Sequence, residues 1–195
     1  MPGSVEASAI VNSGGGLIPL AMMGTGTPDG TKFLKDDGTW AVPPGGGGGG
    51  PSQVKLTADL AASTSTTLTN TTGLSFPVTS GVYYHFKFGV LFRSAATTTG
   101  LKLGMTFPAV TRFGATIMTP IAADGAGGQF QGWITTSGDS VIGTGVQAAN
   151  TDYFAIIEGM ILASANGTLQ VQHASEVASS GVTIRQGSFG QLYTL

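Results

Sequence analysis

Between positions 82 and 92 the chain alternates without a break. Val82, Tyr84, Phe86, Phe88, Val90 and Phe92 fall on one side; Tyr83, His85, Lys87, Gly89 and Leu91 fall on the other, with Arg93 beyond. Successive side chains of a strand point to opposite faces, so a period of two held over eleven residues describes a long strand with one face against a core. A helix would scatter the same six apolar side chains around its circumference. No window of comparable length carries a 3.6-residue period, and the expected class is all-β.

Further strands are expected over residues 54–60, 66–76, 101–107, 116–121, 129–135, 140–146, 153–163, 168–173, 182–188 and 191–195, which are rich in Thr, Val and aromatics. Turn signals separate them: Ser80-Gly81, Asp124-Gly125, Ser137-Gly138-Asp139, Asn150-Thr151-Asp152 and Ser180-Gly181. Asn166-Gly167 is the dipeptide most typical of a tight hairpin and predicts one between the strands at 153–163 and 168–173. Short strands at this spacing predict a β-sandwich or jelly roll.

The strand at 153–163 is apolar on both faces. Phe154, Ile156, Met160 and Leu162 share one face, and Tyr153, Ala155, Ile157 and Ile161 the other. An antiparallel sandwich normally leaves one face of each strand to water. The outer face is therefore expected to pack on another subunit, with Phe154, Ile156, Glu158, Met160 and Leu162 as the candidate interface. Glu158 needs a cation inside that apolar run, and Lys87, Arg93, Arg112 and Arg185 are the candidates.

A break divides the chain. Pro43-Pro44 is followed by six glycines, Gly45, Gly46, Gly47, Gly48, Gly49 and Gly50, and then Pro51. Such a run behaves as flexible coil. The expected organisation is an N-terminal arm over 1–44, a hinge over 45–51 and a single domain over 52–195. Charge sharpens this. Charged residues make up 9% of the 195, against about 25% in an average domain, while hydrophobic residues make up an ordinary 41%. A surface so poor in charge is expected to be covered in part by other subunits.

The same figures exclude several classes. Eight Lys and Arg against ten Asp and Glu leave no basic surplus for nucleic acid. No cysteine means no disulfide framework and no thiolate zinc site. No run approaches the roughly 20 apolar residues of a membrane span, so no membrane insertion is expected. The first residues, Met1 to Glu6, lack the basic and apolar regions of a secretory leader.

Chemistry is sparse. The two histidines, His85 and His173, are read as surface or interface residues. Most carboxylates adjoin Gly, Ser, Thr or Asn, where an Asp caps its own turn. Gly24-Thr25-Gly26 and Gly143-Thr144-Gly145 lack the residues of a phosphate loop and are read as turns or tight packing sites. No catalytic residue, metal ligand or cofactor is expected. Trp133, Tyr83 and Tyr84, with the Ser/Thr-rich loop at 95–99, have the chemistry to stack on and hydrogen-bond sugars; the reading preferred for these aromatics is core.

The most specific segment runs from Gly24 to Ala41. Asp29-Gly30 and Asp37-Gly38 bracket a short strand carrying Phe33 and Leu34, and Trp40 follows. A two-stranded hairpin is marginal alone, so these three side chains are expected to dock on another surface. The run Gly-Thr-Pro-Asp-Gly-Thr-Lys-Phe-Leu-Lys-Asp-Asp-Gly-Thr-Trp, followed by prolines and glycines, resembles a motif recurrent in tailed-bacteriophage virion proteins: tail fibres, head-decoration and head-fibre proteins. Where Lys35 stands, that family commonly has Arg. The segments 82–88, 99–104, 130–134 and 149–153 resemble the C-terminal domain that often follows the motif. The resemblance implies a homotrimeric jelly roll of the tumour-necrosis-factor-like kind without enzymatic activity. Phe33, Leu34 and Trp40 would then anchor the chain to the virion, on the major capsid protein or another virion protein. Two sites are implied for such a protein: the outer capsid surface, as a decoration or head-fibre protein, or the tail, as a short fibre recognising a host surface glycan. The lack of heptads or repeats for a long shaft favours the first.

Overall fold

A computed structural model describes residues 33–34, 39–41, 50–120 and 128–195. The chain divides into two compact units, Met1–Gly49 and Gly50–Leu195. In the first, β1 (Phe33–Leu34) and β2 (Trp40–Ala41) pair antiparallel, with Phe33 opposite Ala41 and Leu34 opposite Trp40. The side chains of Phe33, Leu34 and Trp40, and the hinge glycines Gly45 to Gly49, lie outside the described residues; Gly50 is exposed.

The second unit is an antiparallel β-sandwich, and no helix occurs among its described residues. Its strands are β3 (Ser52–Lys55), β4 (Thr69–Val78), β5 (Tyr83–Ser94), β6 (Leu101–Thr106), β7 (Val110–Pro120), β8 (Gln129–Ile134), β9 (Ser140–Ile142), β10 (Asp152–Ala163), β11 (Gly167–Ser175), β12 (Val182–Ile184) and β13 (Phe189–Thr194). One sheet runs β3-β13-β5-β10-β7-β8, with β12 added to the end of β5; the other runs β4-β11-β6-β9. The pairings are nested. β3 pairs with β13, β4 with β11, β5 with β10 and β6 with β9, so the outermost strands in sequence pair first and last, and the hairpin β7–β8 extends the larger sheet beyond β10.

The core lies between the sheets. β5 contributes Tyr84, Phe86, Phe88, Val90 and Phe92, all buried, as its alternation predicts. β10 adds Ala155, Ile157 and Ile161 from the same sheet; Leu74, Phe76, Leu103, Met105, Leu169 and Val171 face them from the other. Phe88 sits 5.5 Å from Phe76 between ring centroids, a tilted pair that links the two sheets, and 6.1 Å from Phe86 on its own strand.

Two local expectations are corrected. Asn166-Gly167 does not close a hairpin, because β10 belongs to the seven-stranded sheet and β11 to the four-stranded one. A type I′ hairpin needs positive φ at both residues; neither has it, and Asn166 Oδ1 instead accepts a hydrogen bond from Ser80 N at 2.8 Å, tying two crossovers together. His173 is not a surface residue. It is buried on the core face of β11, with Nδ1 2.9 Å from Thr71 Oγ1.

Burial disfavours the charged imidazole and pulls the His173 pKa below its ordinary value of 6.5. As pH falls through that value the unfolded chain takes up a proton that the folded chain refuses. The contribution of this residue is therefore complete above about pH 6.5 and is lost on acidification. Thermal melts from pH 7.5 to 5 are expected to show stability falling with pH, and His173→Gln to fall less steeply over that interval. Parallel curves for the two proteins would contradict the assignment.

Candidate functional site

The outer face of the seven-stranded sheet is the candidate site. β10 turns Ala155, Ile157, Ile161 and Ala163 inward, so Phe154, Ile156, Glu158, Met160 and Leu162 point outward together. Phe154 and Met160 are each 46% exposed. The five residues proposed from sequence as an interface thus form one stripe down the middle of a sheet face. Glu158 is exposed with Phe154 and Met160, while Ile156 and Leu162 are half-buried.

Register builds the rest of the face, because directly opposite residues project to the same side. Leu91 stands opposite Phe154, Gly89 opposite Ile156, Lys87 opposite Glu158, His85 opposite Met160 and Tyr83 opposite Leu162. From β7, Met118, Thr116, Gly114 and Arg112 flank Ile156, Glu158, Met160 and Leu162 in turn. Gly89 is required by close approach. A Cβ there would meet Phe154 Cζ at 2.6 Å and crowd the Phe189 ring, and these two rings stack over it at 6.4 Å between centroids.

Apart from Arg112, the charges on this face are paired with one another. Glu158 lies between His85, whose Nε2 is 3.1 Å from Oε1, and Lys87, whose Nζ is 3.8 Å from Oε2. Lys87 is one of the partners expected for Glu158; His85, two residues away along the same strand face, is an addition. Asp152 accepts from Arg93 Nε at 2.9 Å, and Arg185 Nε lies 3.2 Å from the same oxygen without the alignment of a hydrogen bond. Arg185 also pairs with Asp59. Such half-exposed pairs contribute little to stability. Their consequence is that this face can be desolvated without stranding these charges.

A groove of about 920 Å³ opens on the β7–β8 side of the face. Its walls include Tyr83, His85, Met160, Arg112 and Trp133. Its floor is Gly114, around which no atom lies within 4 Å of a would-be Cβ. Trp133 corrects an expectation: it is 79% exposed and not core, because Ile134 is the β8 residue that turns inward. Tyr83 is likewise half-exposed, while Tyr84 is core as expected. Sequence reasoning missed Trp133, Arg112 and Phe189 as members of this face. The only sequence signal was their parity within short strands.

Among the described residues no group of three or more His, Cys, Asp and Glu is placed to hold a metal ion. Comparison with protein-family models, with curated proteins and with solved structures found no match.

Proposed function

We propose that the chain is a structural protein of a tailed-bacteriophage virion: a homotrimer on the outer capsid surface, a decoration or head-fibre protein, attached through residues 1–44. The observation that carries the reading is the apolar stripe of β10 on the outer face of the larger sheet. A closed ring of copies would cover it. The nested pairing of eight strands supports a jelly-roll description of the tumour-necrosis-factor-like kind. The motif at residues 24–41 supports the virion, with Phe33, Leu34 and Trp40 as anchors on the major capsid protein or another virion protein. The glycines at 45–50 serve as a joint between trimer and capsid site.

Purified protein is expected to show the mass of three chains by light scattering and to bind capsid shells. Binding to tail tips and not to shells would overturn the capsid placement. One observation favours a second reading, a short tail fibre or tail-tip protein recognising a host surface glycan: Trp133 stands free in an open groove. Labelled protein that stains intact host cells would support it.

A further inference from the structure

The geometry points to the groove between Tyr83 and Trp133 as a binding site for an acidic saccharide, a sugar carrying a carboxylate. It rests on the glycan-recognising reading above, names the ligand class and the residues that hold it, and needs the Tyr83, Met160 and Trp133 end of the face left open where copies pack on Phe154 and Ile156.

Three rows of the sheet define the site. Lys87, Glu158, Thr116 and Trp133 form one row, His85, Met160 and Gly114 the next, and Tyr83, Leu162 and Arg112 the third. The missing side chain at Gly114 makes the depression. At about 920 Å³ the space falls within the ~300–1,000 Å³ of small-ligand sites. Trp133 is exposed, and no aromatic ring among the described residues pairs with its indole. The C–H face of a pyranose packs on such a surface, while its hydroxyls find Thr111, Thr116 and Thr135 on the lining.

Charge selects the sugar. Lys87, Arg93 and Arg185 are occupied by carboxylates, and Lys102 Nζ reaches Thr66 O. Among the described residues Arg112 and Lys55 are the cations with no partner, and Arg112 alone of the two lines the groove. A guanidinium takes a carboxylate through two parallel hydrogen bonds. Glu158 is held by His85 and Lys87, so the free charge in the groove is positive. Arg112 and Trp133 line one groove two rows apart. A single cation does not suit a nucleic acid strand, which needs several along its phosphates. It suits a single carboxylate on a sugar ring.

The test uses the full chain and a panel of uronic- and sialic-acid-bearing oligosaccharides, each with its neutral counterpart, read by calorimetry and by the Trp133 indole resonance. At least one acidic member is expected to bind and shift that resonance, with its neutral counterpart weaker by about tenfold or more. Arg112→Ala is expected to abolish the preference for acid, and Trp133→Ala to weaken both forms. Unchanged melting of the two variants checks their fold. No shift of the Trp133 resonance with any member, or equal binding of acidic and neutral forms, would overturn the inference. So would a fall in the mass of the assembly on Arg112→Ala, which would make the groove a contact between copies. The mass of the unliganded wild type reads the proposed trimer separately.

Discussion

Ile156→Asp is expected to convert the protein from three chains to one, as read by light scattering at micromolar concentration. Ile156 projects from the middle of β10 on the outer face, between Gly89 and Met118 in register. In a single copy an Asp there meets water. The isolated sandwich loses about 1 kcal/mol at most, through the poor fit of Asp to a strand. In a trimer that buries this stripe the carboxylate has no free cation beside it, because Lys87 is already shared with Glu158. Burying an uncompensated charge costs several kcal/mol per ion, and the ring repeats that cost at each subunit. Ile156→Val keeps the apolar surface and is expected to keep the mass. Wild type running as one chain, or Ile156→Asp running as three, would refute this face as the subunit contact.

What was legible in the sequence was set by local parity. The alternation at 82–92 fixes which side of β5 is core, and the two-faced apolarity at 153–163 marks a strand whose outer face is apolar around the one charge of Glu158. Both follow from a period of two, and both are found as expected. Glu158 beside Lys87 was also within reach, since an apolar strand needs a cation for its one charge. What was not legible depends on which strands share a sheet. Asn166-Gly167 has the residues of a hairpin turn, yet the chain there crosses from one sheet to the other. Long-range pairing of β10 with β5 and of β11 with β4 overrides a dipeptide preference. Trp133 reads as core by type and is exposed by register, because β8 is the outermost strand and only Gly132 and Ile134 near it turn inward. His173 reads as surface by type and is buried, because Thr71 on the neighbouring strand supplies its partner.

The largest loss of stability is expected from the smallest substitution, Gly100→Ala. A Cβ at Gly100 would land on the carbonyl group of Gly143 and lie 2.7 Å from Gly145 N. The obstacle is backbone, not a side chain that can turn away. Neither strand segment is free to retreat. Gly100 N donates to Glu176 Oε2 at 2.8 Å, and Gly100 O accepts from Glu176 N at 3.0 Å. On the other side Gly143 N donates to Leu101 O at 2.9 Å and Val146 N to Thr97 O at 2.9 Å. Moving either segment breaks hydrogen bonds whose groups are then left inside the fold, in addition to the overpacking itself. The combined cost is about 3 kcal/mol or more, a large share of the ~5–15 kcal/mol by which a domain is stable. Gly114→Ala is the matched control. It is also a strand glycine, but the space around its Cβ is open. Its change is expected within about 0.5 kcal/mol, with a slight gain from the stiffer backbone. Urea melts of the two variants decide the matter: equal midpoints would show that the Gly143 to Val146 segment yields, and the tight crossing of β6 with that segment would not be what requires glycine at position 100.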